Sequence, residues 1–135
     1  MVKSITREPN YKDLDLDFFA HPTTKDVVKK TGIDAIKRSI RNLVLTNFYD
    51  RPFRSYIGSN VQKLLFENAT PLTRIFIKDA VEEVIRNFEP RARLVNDSVV
   101  VNLNEDQNGY DVTITFVEVS REEPATITVF LRRIR

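Results

Sequence analysis

Glu89, Pro90 and Arg91 place two opposite, bidentate-capable charges on either side of a proline, which fixes the direction of the backbone carrying them. Charges held in this way suit charge-assisted recognition of a partner surface. Catalysis has less to work with. The chain has one histidine and no cysteine, so thiolate chemistry, a disulfide framework and a zinc site built from imidazole and thiolate are excluded. His21 follows Phe19-Ala20 and precedes Pro22, which reads as a loop histidine rather than a base. No Gly-x-Ser-x-Gly, P-loop or dinucleotide fingerprint occurs. Asn102, Asn104, Asp106 and Asn108 superficially resemble a calcium loop, but Gly109 misses the sixth position and no bidentate glutamate closes the run. No catalytic residue, metal or cofactor is expected.

A glycosidase needs two carboxylates flanking a cleft, one of them held protonated. Glu67, Asp79, Glu82, Glu83 and Glu89 supply candidates. Asp79, Glu82 and Glu83 read as the solvated face of a helix. Arg86 and Arg91, close to Glu89, favour its charged form, the opposite of what a general acid requires. Basic side chains at Lys29-Lys30, Lys37-Arg38-Arg41 and Arg51-Arg54 are interleaved with acids, and the formal charge is only +2. Nucleic acid is therefore not an expected partner. The tail Phe130 to Arg135 is both basic and apolar, and fits an acidic protein surface. No apolar run approaches the ~18 residues that span a bilayer, and Met1-Val2-Lys3-Ser4 leads into a polar segment. Neither membrane contact nor a secretory leader is expected, so the sequons Asn68-Ala69-Thr70 and Asn96-Asp97-Ser98 read as accidental.

The elements that must position these residues change period at Glu89-Pro90-Arg91. Before it, Leu72, Ile75, Phe76, Ala80, Val81, Val84, Ile85 and Phe88 recur at helical spacing; after it, alternation takes over. Residues 1–13 are polar and aperiodic and read as a flexible or partner-ordered arm within a single domain over 1–135. Leu14 to Phe18 alternates as a short N-terminal edge strand. Gly32 opens a helix with Ile33, Ile36, Ile40, Leu43 and Val44 inward, ending near Thr46. The middle, Asn47 to Asn60, holds Phe48, Tyr49, Phe53 and Tyr56, of which two or three are expected to fold back on the helices. Val61 to Phe66 marks a short helix. Thr70 as cap and Pro71 at the first position start a helix running to about Phe88. Three strands follow as an antiparallel meander: one within Arg91 to Leu103, bent near Asp97 or Ser98, then Tyr110 to Val119 after an Asn108-Gly109 turn, then Ala125 to Ile134. The fold class is α+β, with N-terminal helices packed on a C-terminal antiparallel sheet of about three strands.

Arg51-Pro52-Phe53, Gly58, Leu64-Leu65-Phe66-Glu67-Asn68, Thr70-Pro71-Leu72-Thr73 and Asn87-Phe88-Glu89-Pro90-Arg91 follow one another in an order that resembles the baseplate-wedge, or sheath-initiator, family of contractile phage tails. Related proteins sit in the type VI secretion baseplate. The resemblance covers about residues 14 to 134. Phe88 stands where the family often has tyrosine, and Tyr49-Asp50 precedes Arg51 where the family's loop frequently reads differently. The resemblance implies a structural protein of the virion tail baseplate, assembled in the host cytoplasm. It implies docking to the helical core bundle of other wedge proteins through Glu89, Pro90 and Arg91. It further implies that the C-terminal strands, through Thr128, Phe130, Arg132 and Arg133, offer an edge on which tail sheath protein begins to polymerise. The same family carries an old lysozyme label. Peptidoglycan cleavage, and a small regulatory adaptor binding one cellular protein, are the alternative readings.

Overall fold

The computed structural model describes residues 12–14, 20, 22–23, 25–26 and 29–134. Most of the arm, His21 and all but Leu14 of the Leu14–Phe18 strand lie outside the described residues. Lys12–Leu14 forms β1, which pairs antiparallel with β2, Lys29–Thr31. This ribbon is separate from the main sheet. The described part of the expected edge strand is therefore displaced. It extends no three-stranded sheet, because its partner is a segment immediately ahead of the first helix.

That helix, α1, spans Ile33–Leu45. Gly32 precedes it at φ 62°, a left-handed conformation that glycine adopts without steric cost. Ala35, Ile36, Ile40, Leu43 and Val44 are buried at the spacing of one helical face. After the irregular middle comes α2, Val61–Leu64, and then α3, Pro71–Phe88. The start of α3 is chemically specified. Thr70 Oγ1 accepts from the Thr73 amide at 3.2 Å, satisfying one amide that has no partner inside the helix. Pro71 takes the first helical position, where its missing amide costs nothing.

The sheet is a meander of β3 (Ala92–Asn104), β4 (Gly109–Glu118) and β5 (Pro124–Arg132), in that spatial order. The alternation in β4 decides which face is dry. Tyr110, Val112, Ile114, Phe116 and Glu118 are buried, and in register beside them lie Ala92 and Val99 of β3 and Ala125, Val129 and Leu131 of β5. Against this face pack Ile77, Val81, Val84 and Ile85 of α3 together with the apolar face of α1. Burying a side chain the size of Phe116 contributes roughly 1.5–3 kcal/mol.

Two details differ from expectation. Leu72, Ile75 and Phe76 are exposed, because the eight apolar positions of α3 cover too wide an arc for one packing face. The buried stripe instead runs through Thr73, Ile77, Val81, Val84 and Ile85. Asn108 takes the left-handed conformation (φ 50°), but Gly109 is already the first residue of β4, and the β3–β4 connection is Glu105 to Asn108. Gly109 is glycine for another reason: an added Cβ would meet the Phe130 ring and approach the Leu131 carbonyl oxygen to 2.6 Å. The bend in β3 falls where it was expected, as a bulge between Leu94 and Val99 with Asp97 at φ 56°. Lys78 of α3 reaches the Asp97 carboxylate across 3.2 Å.

Candidate functional site

Helix α3 stops at Phe88 because Pro90 cannot continue it, and the Glu89 amide makes the last bond back, to Ile85 O at 2.9 Å. The chain then doubles around Pro90 tightly enough for the side chains two residues apart to face each other. Arg91 Nε donates to Glu89 Oε1 at 2.5 Å and Arg91 Nη2 to Glu89 Oε2 at 2.9 Å. This is a fork-to-fork pair, the geometry in which guanidinium and carboxylate bind most strongly. The Glu89 side chain is only 2 % exposed, whereas that of Arg91 is 25 % exposed and Pro90 lies at the surface. The corner is fastened to the sheet as well, since the Val119 amide donates to Arg91 O at 3.0 Å. A second buried carboxylate, Glu118, stands opposite Ala92 in register and accepts from Ser120 Oγ at 2.9 Å. Both charges of the corner were expected to face outward. Glu89 instead turns inward and aims Arg91, leaving Pro90 and part of the guanidinium at the surface.

Strand β5 exposes Thr126, Thr128, Phe130 and Arg132 on one face. Thr126 and Thr128 stand beside Thr115 and Thr113 of β4, hydroxyl to hydroxyl, at 3.3 and 3.4 Å. No described strand pairs with the outer edge of β5. Arg133 is not part of that surface. Its amide donates to Asn108 O at 2.9 Å, and its guanidinium reaches Asn108 Oδ1 at 3.3 Å and Glu67 O at 3.5 Å. The next amide, Ile134, donates to Leu65 O at 3.3 Å. The structure thus gathers Thr128, Phe130 and Arg132, and gives Arg133 to a clasp between the sheet and the segment after α2.

The segment between α1 and α2 departs most from expectation. Tyr49, Phe53 and Tyr56 are 83, 98 and 64 % exposed, so a single aromatic, Phe48, is drawn partly inward. The Tyr56 ring still meets Phe88, beside the corner, with centroids 6.4 Å apart. Gly58 holds the base of the loop: a Cβ there would lie 2.6 Å from Asn47 O, so only glycine permits this backbone approach. Exposure of these rings has no local sequence signal, because buried and exposed aromatics read alike in an aperiodic stretch.

Among the described residues no group of three or more His, Cys, Asp or Glu could hold a metal ion, and no helix is long and apolar enough to cross a membrane. Residues 30–122 match the family model described as baseplate wedge protein gp25. The chain belongs to that family. One member, baseplate wedge protein gp25 of Enterobacteria phage T4, is 32 % identical over 104 residues, covering 77 % of this chain and 75 % of the T4 protein. The family match begins in β2 and ends ahead of β5, so it contains the corner and the aromatic loop but not Thr128, Phe130, Arg132 and Arg133. Solved structures share the fold as well. A Geobacter sulfurreducens protein described as a candidate tail lysozyme superposes with a TM-score of 0.66 at 22 % identity, over 74 % of this chain and 91 % of that one. A chain of the anti-feeding prophage baseplate superposes with a TM-score of 0.63 at 21 % identity, over 93 % and 88 %.

Proposed function

We propose that this chain is a structural component of a contractile-tail baseplate wedge, resident in the tail of the particle and assembled there from the host cytoplasm. The observation that carries the reading is the 32 % identity to the T4 baseplate wedge protein over 104 residues. The mechanism is adhesion at two places. At the corner, Pro90 and the outer part of the Arg91 guanidinium meet the helical core of neighbouring wedge proteins, and Glu89 acts through Arg91 by holding its fork in one orientation. Along β5, the outer edge with Thr128, Phe130 and Arg132 receives a strand of tail sheath protein; main-chain bonds supply affinity and alternate side chains supply selectivity. Arg133 supports that strand from behind rather than touching the sheath.

The test separates contact from internal bracing. Exchanging both members of the pair, as Glu89→Gln with Arg91→Met, removes the charges without stranding either one in the interior. The doubly substituted chain is expected to fold and to be missing from purified particles. Normal incorporation would exclude the corner as a docking contact. The description of the Geobacter protein as a tail lysozyme motivates a second reading, glycan cleavage. Against it stands Glu89, whose two oxygens are both engaged by Arg91 and so are poorly placed to protonate a leaving group. Measurable turnover of peptidoglycan that disappears in Glu67→Gln would revive that reading.

A further inference from the structure

The aromatic loop is rigid and yet turned outward, a combination with a functional meaning. Its backbone is tied at both ends and across its width: Tyr49 N–H to Ser55 O at 2.9 Å, Ile57 N–H to Arg54 O at 3.0 Å, and Ser59 N–H to Thr46 O at 2.9 Å. The Asp50 carboxylate accepts from the Asn47 amide at 2.9 Å. Tyr49 occupies φ 72°, a conformation that costs a non-glycine residue on the order of 1–3 kcal/mol and persists only where its surroundings enforce it. Such a loop keeps Tyr49, Phe53 and Tyr56 in water although nothing prevents their rings from being polar side chains.

Two clefts border the loop. Tyr49, Tyr56 and Phe66, with Asn60 and Lys63, wall one of about 720 Å³. Arg51 and Arg54, with Asn42, Leu45, Ile57 and Phe88, line another of about 610 Å³, with no acidic side chain among the described residues of its wall. Both arginines are exposed, and no described residue forms an ion pair with either. Aromatic rings flanked by arginine form the side-chain set that dominates binding energy at protein interfaces. Holding them rigid before contact lowers the ordering cost of association.

We infer that the loop is a docking surface for an acidic segment of another protein, which straddles it with carboxylates on Arg51 and Arg54 and an apolar side chain in the Tyr49–Tyr56–Phe66 cleft. Charge selects the class of partner: no described acidic side chain lines the arginine cleft, so carboxylates are attracted there and a basic segment is repelled. The surface adjoins the corner at Phe88 but uses neither the Glu89–Arg91 pair nor β5, and the inference does not require that the chain reside in a baseplate.

The test uses the full chain in the cells that produce it, with Phe53→benzoylphenylalanine as a photo-cross-linking probe. Phe53 is almost wholly exposed, so the substitution leaves the fold intact. The expected result is a cross-link, mapped by mass spectrometry, to one stretch of a different protein with several Asp or Glu residues within a few positions. Adding Arg51→Glu and Arg54→Glu should reduce that cross-link at least tenfold while the melting temperature stays unchanged. A cross-link to nucleic acid, lipid or a second copy of this chain would overturn the inference. So would the absence of any cross-link, or one indifferent to charge reversal. Particle incorporation of the unsubstituted chain, scored in the same cells, reports on the baseplate reading separately.

Discussion

Replacing Arg91 by alanine isolates the energetics of the corner. Both oxygens of Glu89 lose their donors, and that carboxylate is 2 % exposed. Stranding a buried charge in this way costs roughly 3–5 kcal/mol. Arg91 itself is 25 % exposed, so water can enter part of the vacated space and the loss should fall near the lower end, about 3 kcal/mol. For a chain of this length that lowers the melting temperature by about 10 °C. Glu89→Gln keeps one acceptor for the guanidinium and should cost less, about 2 kcal/mol. The combined Glu89→Gln, Arg91→Met chain leaves neither charge behind and should sit within about 1 kcal/mol of the parent. Urea denaturation of the parent, Glu89→Gln, Arg91→Met and the combined chain closes a double-mutant cycle, whose expected coupling is well above the ~0.5 kcal/mol at which sites count as independent. Additive single losses, or an Arg91→Ala chain as stable as the parent, would show that the fork does not hold the corner.

Thr70→Ala should destabilise the chain by about 1 kcal/mol through loss of the cap on Thr73, with Thr70→Asp recovering most of it in the same melting assay. Gly58→Ala should cost more than about 2 kcal/mol, because the added methyl meets backbone of Asn47 and Phe48 that has no room to retreat. Phe116→Ala, in the middle of the dry face, should lose about 3–5 kcal/mol in urea denaturation. Asp97→Asn, which removes the charge but keeps a side chain that tolerates the left-handed backbone, should change stability by less than about 0.5 kcal/mol, since the bond to Lys78 is largely exposed and salt screens it.

Local rules made much of this fold legible. The Thr70-Pro71 start of α3 and the alternation of β4 each rest on interactions inside one segment, and both are observed as read. Legibility fails where the deciding partner is distant. That β1 joins β2 rather than the main sheet depends on a pairing no periodicity encodes. The outward trio on α3 follows from how wide a face the sheet can cover, which is a property of the sheet. At the corner, residue types alone pointed to Glu89, Pro90 and Arg91, but the inward turn of Glu89 depends on the tight doubling of the chain around Pro90. The aromatic loop shows the same limit. Its arginines and rings are plain in the sequence, whereas their outward aim is set by the approach of Gly58 to Asn47 and Phe48.

The clasp formed by Arg133 and Ile134 bears on how the domain takes a load. All nine residues of β5 are in register with β4, and the chain beyond is hydrogen-bonded to Leu65 and Glu67 in the segment after α2. Tension applied along β5 must therefore shear the whole row of bonds together, since neither end is free to unzip. A traction on this strand is delivered to the helical layer through Leu65 and Glu67, so the domain answers as one stiff body.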